Sequence, residues 1–311
     1  MSAVLVLTGL ALLALPGAAT FNARRLRPSE WRRFNRAAIR LGFNLVQLSL
    51  VLAAAPTLLA AAGGESVADA CHHLLGPALP GGAITGGTAV TMGLALFAVA
   101  CLVRQRSRRL QRTARIEDWL GDHRRLPDAT LVVLATDAVV AYATPGSPAQ
   151  VVVSRGLMSA LGPDELEAVV RHELAHLRNR HDRDLVLAAV VDAALGWIPG
   201  VRASTRALRL SIERSADEEA AERPGAREAV RRALLKTTET MLGPVPAFTT
   251  VSTLLARLDA LAIPPRDPTL SQRVTAFAPL AGLVAVAAAG LLGWIAVTHH
   301  SILHLLSLCP F

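Results

Sequence analysis

Two histidines four positions apart, with a glutamate directly after the first, are the residues of this chain best suited to chemistry. They form the segment His172-Glu173-Leu174-Ala175-His176. On a helix, residues four apart share a face, so both imidazoles can reach one metal ion. A zinc ion bound in this way keeps a position open for water and lowers the pKa of that water, and Glu173 can then take the proton. We therefore predict a hydrolytic metal centre with Glu173 as general base.

A third metal ligand is expected on a following helix, which carries Glu213-Arg214-Ser215-Ala216-Asp217. Glu213 and Asp217 are four positions apart and therefore share a face. We predict Glu213 as the third zinc ligand and Asp217 as the acceptor of a hydrogen bond from a ligating imidazole. The stretch is rich in acids, and three more glutamates compete for the ligand role: Glu218, Glu219 and Glu222.

The polar residues that follow the motif are expected to have structural roles. His181 lies five positions after His176 and falls on a different face of a continuous helix. We therefore expect His181 to face solvent or to act as a polar support, and a direct role is the less favoured alternative. Asp182 and Asp184 are expected to be polar residues at a helix end.

A helix must hold the two histidines, and the sequence supports one. Gly162-Pro163-Asp164-Glu165 has the features of a helix start, because proline suits the first turn and acids suit the positive end of the helix dipole. Apolar residues then follow at helical spacing: Leu166, Val169, Val170, Leu174 and Leu177. Further helices are predicted at about 201–221 and 226–242, and an arginine-rich helix at about 104–120.

Three short β-branched runs precede the motif helix: 131–135, 139–143 and 151–154. Turn residues separate them, notably Thr144-Pro-Gly-Ser-Pro148. Strands of this length joined by turns are typical of hairpins. The sequence therefore predicts a small antiparallel sheet next to the motif helix.

The chain is too apolar for an ordinary soluble domain, since 52% of its residues are hydrophobic. A membrane span needs about 20 mostly apolar residues. Four blocks meet this requirement and are predicted to be transmembrane helices: 3–20, 41–62, 83–103 and 276–297. A fifth block, 185–199, is shorter and carries Asp192, so we expect a buried or membrane-skimming helix there.

The chain has a net charge of +8, and its arginines are concentrated at the ends of the apolar blocks. They cluster between blocks one and two and after block three, whereas the loop 63–82 has neither lysine nor arginine. The positive-inside rule then places both termini outside and residues 104–275 in the cytoplasm. This distribution, without interleaved aromatic residues, favours contact with anionic membrane lipid and excludes nucleic acid as a direct partner.

Two cysteines are candidates for a disulfide. Cys71 and Cys309 both fall outside in the predicted topology, where an oxidising environment permits a bond between them. Two free thiols are the alternative. Cys101, at the inner end of the third block, is expected to be a small core residue.

With these residues in view, the chain resembles the BlaR/MecR-type membrane metallopeptidases, an antirepressor family of HExxH gluzincins. The resemblance runs through four segments: Val151–Leu157, Leu161–His176, Trp197–Pro199 and Glu213–Asp217. It covers about 70 residues closely. The resemblance implies one zinc ion held by His172, His176 and Glu213, with Glu173 as base. It also implies a cytoplasmic site that cuts a protein such as a repressor, with the strand around Val151 pairing with an extended substrate.

The chain departs from the family pattern in two places. Sensor members carry a large external penicillin-binding domain after the last span, but only about thirteen residues follow 298 here, so direct beta-lactam sensing is not expected. The family often has Asp five positions after the second histidine, where this chain has His181. The related heat-shock and prenyl-protein membrane proteases usually place a further histidine downstream. Here none lies between His181 and His299, and no residue is assigned to stabilise the oxyanion.

The sequence thus predicts a mainly α membrane protein with about four transmembrane helices and a cytoplasmic α+β gluzincin-type zinc peptidase domain. Residues 1–103 would hold three spans, 104–275 the peptidase domain, and 276–311 the fourth span with a short external tail. The expected function is a zinc metalloendopeptidase that cuts a protein, such as a cytosolic transcriptional regulator. The alternatives are a membrane quality-control protease of the heat-shock type and a non-catalytic membrane signalling scaffold. No oligomeric state is predicted.

Overall fold

The computed structural model describes residues 2–18, 26–63, 122–241, 248–263 and 267–308, together with helical positions between 93 and 105. The chain begins with two helices, α1 (Ser2–Ala18) and α2 (Pro28–Gly63). They cross at Gly9 and Gly42, where a Cβ on Gly42 would lie only 2.6 Å from the carbonyl oxygen of Gly9. Because neither residue has a side chain, the two backbones can touch, as is common between membrane helices.

Replacing Gly42 with leucine should therefore push α1 and α2 apart and destabilise the fold by about 1–3 kcal/mol, the usual cost of overpacking. The midpoint of thermal unfolding, followed by tryptophan fluorescence in detergent micelles, measures the loss. Gly282→Leu in the last helix is the matched control, because a Cβ at Gly282 would meet no other described atom within 4 Å. Equal midpoints for the two variants would contradict this account of the crossing.

A four-stranded sheet follows, built from β1 (Asp122–Arg125), β2 (Thr130–Leu134), β3 (Ala141–Thr144) and β4 (Gln150–Ser154). The strand order is β1-β2-β4-β3, and β4 runs parallel to β2 but antiparallel to β3. The predicted antiparallel sheet is therefore wrong, since the sheet is mixed, although the three predicted runs correspond to β2, β3 and β4. The polar strand β1 has no apolar pattern from which a strand could be predicted.

The position of β4 in the middle of the sheet has a physical cause. Its valines Val151, Val152 and Val153 are at most 1% exposed. Three consecutive apolar side chains point to alternating faces, so they are all buried only if both faces of the strand are covered. An edge position in a hairpin would expose them, and β4 lies between β2 and β3 instead.

Six helices of the described chain lie between the sheet and the last helix. They are α3 (Arg155–Ala160), α4 (Pro163–Arg178), α5 (His181–Leu195), α6 (Pro199–Ala220), α7 (Ala226–Met241) and α8 (Phe248–Ala262). The helix predicted to start at Pro163 is α4, where the backbone N–H of Gly162 donates to the Glu165 carboxylate at 2.9 Å. α5 overlaps the predicted buried or membrane-skimming segment and has several buried apolar residues: Ala188, Val190, Val191 and Leu195.

A buried ion pair connects α2 to the corner between α4 and α5. Nη1 of Arg32 donates to the carbonyl oxygen of Asn179 at 3.2 Å and to Oδ2 of Asp184 at 3.1 Å. Arg32 and Asp184 are 5% and 3% exposed. Asp184 lies in the first turn of α5, as expected for a residue at a helix end, but it is also one half of this buried pair. The pair therefore links this corner to α2.

The last helix, α9 (Leu270–Leu308), contains the segment Leu270–Gly293, which is long and apolar enough to cross a membrane. In the part of the chain that the structure describes, no other helix meets this criterion, and the apolar stretch Leu5–Ala18 of α1 is shorter. The predicted span 276–297 overlaps this segment, and the other three predicted spans stay predictions.

Some predicted features fall outside the described residues. Most of the block 83–103 and of the arginine-rich helix at 104–120 does so, as do Cys71 and Cys309 of the predicted disulfide. The domain boundaries and the cytoplasmic side of residues 104–275 also stay predictions.

Candidate metal centre

Helices α4 and α6 cross so that two imidazoles and one carboxylate approach a common position. Nε2 of His172 and Nε2 of His176 are 3.1 Å apart. The carboxylate of Glu213 lies 3.5 Å from Nε2 of His172 and 3.8 Å from Nε2 of His176. All three donor groups offer atoms within 4.8 Å of one another. Two imidazole nitrogens and one carboxylate oxygen are a donor set that fits zinc and leaves one position open.

A buried ion pair lies behind these three donors. Nδ1 of His172 is 3.0 Å from Oδ1 of Asp217, the contact predicted for a ligating imidazole. Arg257 of α8 donates to both carboxylate oxygens of Asp217, at 2.7 and 2.6 Å. Its Nη1 is also 3.1 Å from Glu213. Because the side chain of Asp217 is only 3% exposed, its charge requires such a partner.

The sequence contains only a weak signal for Arg257. It is the single basic residue in the apolar stretch Leu254-Leu-Ala-Arg257-Leu258. A lone charge in such a stretch is buried only with a partner. The spacing does not identify that partner, because Asp217 lies 40 positions away in the chain.

His181 also lies at this site, and the expectation that it faces solvent is wrong. The side chain is fully buried, and its Nδ1 is 3.0 Å from Nδ1 of His176. The chain reverses at Arg180, whose φ of 51° is in the left-handed region, so His181 does not continue the helical phase of α4. When Nε2 of His176 binds a metal, its Nδ1 carries the hydrogen and donates to Nδ1 of His181. This geometry fits the polar-support alternative.

Glu173 lies beside the donors in the walls of two cavities. One cavity, of about 220 Å³, is lined by Glu173, Glu213 and His172 together with residues of α7 and α8. The other, of about 250 Å³, is lined by Glu173, Glu213 and His176 together with residues of β3. Burial raises the pKa of Glu173, although the charges of His172 and Arg257 oppose the shift. A carboxylate of raised pKa is a better general base near neutral pH.

The surrounding charges act differently on the two histidines. Burial lowers the pKa of His172, but hydrogen bonds to Asp217 and Glu213 outweigh this effect and raise the pKa to about 10. Burial and the charge of His172 lower the pKa of His176 to about 4. Burial would raise the pKa of Glu213, but the hydrogen bond to His172 and the charge of Arg257 lower it. In protein without bound metal, His172 therefore carries a proton at neutral pH and His176 does not.

Zinc binding should therefore displace one proton from His172, because a ligating imidazole must be neutral. We expect about one proton per zinc when chelator-stripped protein is titrated in weak buffer near pH 6, below the pKa of about 7 of a zinc-bound water. Zinc affinity should rise with pH through the neutral range. Asp217→Asn should release less than one proton, because it removes the carboxylate charge that strengthens the hydrogen bond from His172 and raises the pKa of His172. Zinc uptake without proton release by the unaltered protein would count against this assignment.

The strand nearest the site is β3, and it lies at the edge of the sheet. The expectation that the strand around Val151 pairs with a substrate is wrong, because that strand is β4 and both its edges are paired. β3 pairs with β4 alone within the described residues. The backbone N–H of Ala143 donates to the Glu173 carboxylate. The unpaired edge of β3 therefore faces the candidate metal centre.

Comparison with known proteins points to the same part of the chain. Residues 104–211, which contain the sheet and the motif helix, match one family profile. That family is Peptidase family M48. The M48 match includes His172, Glu173 and His176 but ends at residue 211, so Glu213, Asp217 and Arg257 lie beyond it.

Similar proteins from three organisms carry the description "Protease HtpX homolog". The protein of Gemmatimonas aurantiaca is 38% identical over 83 residues, which are 26% of this chain and 29% of the relative. That of Thermococcus sibiricus is 37% identical over 88 residues, 25% of this chain and 30% of the relative. That of Moorella thermoacetica is 44% identical over 75 residues, 24% of this chain and 25% of the relative.

The chain thus covers less than a third of the length of these relatives. The profile and the relatives support a metallopeptidase of the M48 type. They do not single out the BlaR/MecR-type antirepressors.

Proposed function

We propose that this chain is a membrane-embedded zinc metalloendopeptidase that hydrolyses peptide bonds of a protein substrate. The observation that carries the proposal is the convergence of His172, His176 and Glu213 beside Glu173. The two histidines and Glu173 lie within the segment that matches M48 peptidases. The three donors would hold one zinc ion, which supplies a water of lowered pKa and polarises the carbonyl group under attack. The apolar segment Leu270–Gly293 would anchor the chain in the membrane.

Each of the other residues at the site has a defined task in this proposal. Glu173 takes a proton from the attacking water and gives it to the departing amine nitrogen. Asp217 accepts a hydrogen bond from the Nδ1–H of His172, so Nε2 of His172 is directed at the metal. Arg257 balances the negative charges of Asp217 and Glu213, and His181 holds the ring of His176.

The edge strand β3 suggests how the substrate binds. An extended peptide can add to an unpaired sheet edge through main-chain hydrogen bonds. At β3 such a peptide would run between the two cavities, and its scissile bond would lie near Glu173. This mode requires an extended substrate segment, so folded proteins would be poor substrates.

Two classes of substrate are compatible with this site. The resemblance to BlaR/MecR-type antirepressors favours a cytosolic regulator. The relatives described as HtpX proteases fit the heat-shock-type alternative, a quality-control protease, at least as well. The third alternative, a non-catalytic scaffold, does not explain why all three metal donors and the base are present together.

Reconstitution of the full chain in lipid nanodiscs tests the proposal. We expect cleavage of an unfolded protein such as casein, loss of cleavage on treatment with a chelator, and recovery on addition of zinc alone. Cleavage that survives complete removal of metal would contradict the proposal, as would zinc-loaded protein that cuts no unfolded substrate.

A comparison of protein levels in cells that produce active or inactive chain separates the substrate classes. A quality-control protease should leave many damaged membrane proteins uncut when it is inactivated. A regulatory protease should leave one soluble regulator uncut.

A further inference from the structure

The turn between α5 and α6 exposes a large apolar side chain. Trp197 is 79% exposed, more than any other large apolar residue among those described. The next residues on that surface, Pro199 and Ala203, are exposed and uncharged. Tryptophan carries a large apolar surface and one N–H donor, so it is favoured where one end of a side chain meets an apolar phase and the other meets water.

Close contacts with α1 show where this turn lies along the axes of the apolar helices. A Cβ on Gly200 would lie 3.0 Å from Cβ of Ala14, and the backbone N–H of Gly17 donates to Oγ of Ser204 at 2.8 Å. The turn is therefore level with the C-terminal part of α1. Leu12 of α1 belongs to the same buried cluster as Leu280, which lies within the candidate membrane span Leu270–Gly293. Trp197 is thus level with a part of α9 that would lie inside a bilayer.

Two arginines follow the turn along α6, in the direction of Glu213. Arg202 and Arg206 are both exposed. Neither forms an ion pair within the described residues, whereas Arg209 on the next turn of α6 pairs with Asp192 at 2.5 Å. Guanidinium groups beside an apolar layer suit the phosphates of anionic lipids. Tryptophan and arginine in this order are typical of a membrane–water interface.

We propose that the α5–α6 turn inserts into the bilayer, with Trp197 at the acyl-chain boundary and Arg202 and Arg206 among anionic headgroups. The inference rests on the membrane location in the proposed function, but not on peptidase activity. The turn is then a second contact with lipid, independent of α9. It would hold the N-terminal end of α6 at a fixed depth, and α6 carries Glu213 and Asp217.

Fluorescence quenching in nanodiscs of phosphatidylcholine and phosphatidylglycerol tests this proposal. Cys71, Cys101 and Cys309 are replaced by alanine, and one cysteine with an environment-sensitive dye is placed at Trp197, Leu292 or Glu222. Leu292 is 66% exposed in the candidate span, and Glu222 is exposed on the turn after α6. The Trp197 and Leu292 probes should lose emission to spin-labelled acyl chains, whereas the Glu222 probe should lose emission to iodide in the water.

The three probe positions distinguish a failure of this inference from a failure of the proposed membrane location. If the Leu292 probe responds to acyl chains but the Trp197 probe responds to iodide, the turn is in water and this inference alone is wrong. If the Trp197 probe responds to neither quencher, another protein surface covers it, which also overturns the inference. If the Leu292 probe does not respond to acyl chains, the proposed membrane location fails together with the inference.

Two further variants keep the test independent of the substitution at Trp197. A probe at Ala193, exposed on the last turn of α5, leaves the tryptophan in place and should also respond to acyl chains. The double variant Arg202→Gln/Arg206→Gln should raise the iodide sensitivity of the Ala193 probe in anionic nanodiscs. In nanodiscs of phosphatidylcholine alone it should have little effect. Equal iodide sensitivity with and without the two arginines would refute their headgroup contact.

Discussion

Replacing Glu173 with glutamine should lower kcat for peptide cleavage by about 10²- to 10⁴-fold, the usual contribution of a positioned general base. Glutamine has nearly the same shape but cannot accept the proton of the attacking water. Glu173 is not among the three proposed ligands, so zinc content should not change. Initial rates on an unfolded protein substrate, together with the zinc-to-protein ratio from mass spectrometry, measure both effects.

Glu222→Gln is the matched control for this variant, because it makes the same chemical change at an exposed position outside the site. It should keep the unaltered rate. A Glu173→Gln protein that turns over substrate at the normal rate would favour the non-catalytic scaffold over the protease. A variant that loses zinc as well as activity would instead indicate that Glu173 has a ligand role.

The second large effect is expected at Arg257. Arg257→Met removes one of the two cationic partners of the buried carboxylate of Asp217 and leaves His172 alone to balance both Asp217 and Glu213. Removing one partner of a buried ion pair typically costs about 3–5 kcal/mol. The pKa of Asp217, which Arg257 lowers against the effect of burial, should rise. A protonated Asp217 accepts the hydrogen bond from the Nδ1–H of His172 less strongly. The ring of His172 is then held less firmly with Nε2 directed at the metal. Thermal unfolding and zinc affinity should therefore both decline.

Two further variants separate charge balance from metal binding at this position. Arg257→Lys keeps the charge but loses the two parallel hydrogen bonds, so its stability should fall between those of the unaltered protein and Arg257→Met. The double variant Arg257→Met/Asp217→Asn removes both charges and should recover stability without recovering zinc affinity. If the double variant is as unstable as Arg257→Met alone, the loss comes from packing and not from an unpaired charge.

Helical periodicity alone predicts that some of these residues lie close together. His172, Glu173 and His176 belong to one helix with a clear start, and Glu213 and Asp217 share a face by spacing alone. The closeness within each pair could therefore be predicted, because each pair lies within a single helix; the metal-binding role of His172, His176 and Glu213 stays a proposal. The position at which α4 and α6 cross cannot be predicted from the sequence of either helix.

The residues that escaped prediction depend on contacts between distant elements. Arg257 reaches Asp217 from α8, and no spacing rule connects two helices so far apart in the chain. The spacing of His181 predicts another face of α4, but the left-handed residue Arg180 follows the end of that helix and returns the chain to His176. The mixed sheet likewise depends on the insertion of β4 between two strands, which the order of the runs along the chain does not reveal.

The guanidinium of Arg32 has a consequence for how the metal centre responds to its surroundings. It connects α2 to Asn179 and Asp184, and His181, which touches His176, lies between those two residues in the chain. If α2 spans the bilayer as the sequence predicts, a change in its tilt would reach the ring of His181, which contacts one of the proposed ligands. Bilayer thickness would then influence hydrolysis, and cleavage rates in nanodiscs of different acyl-chain length measure this coupling.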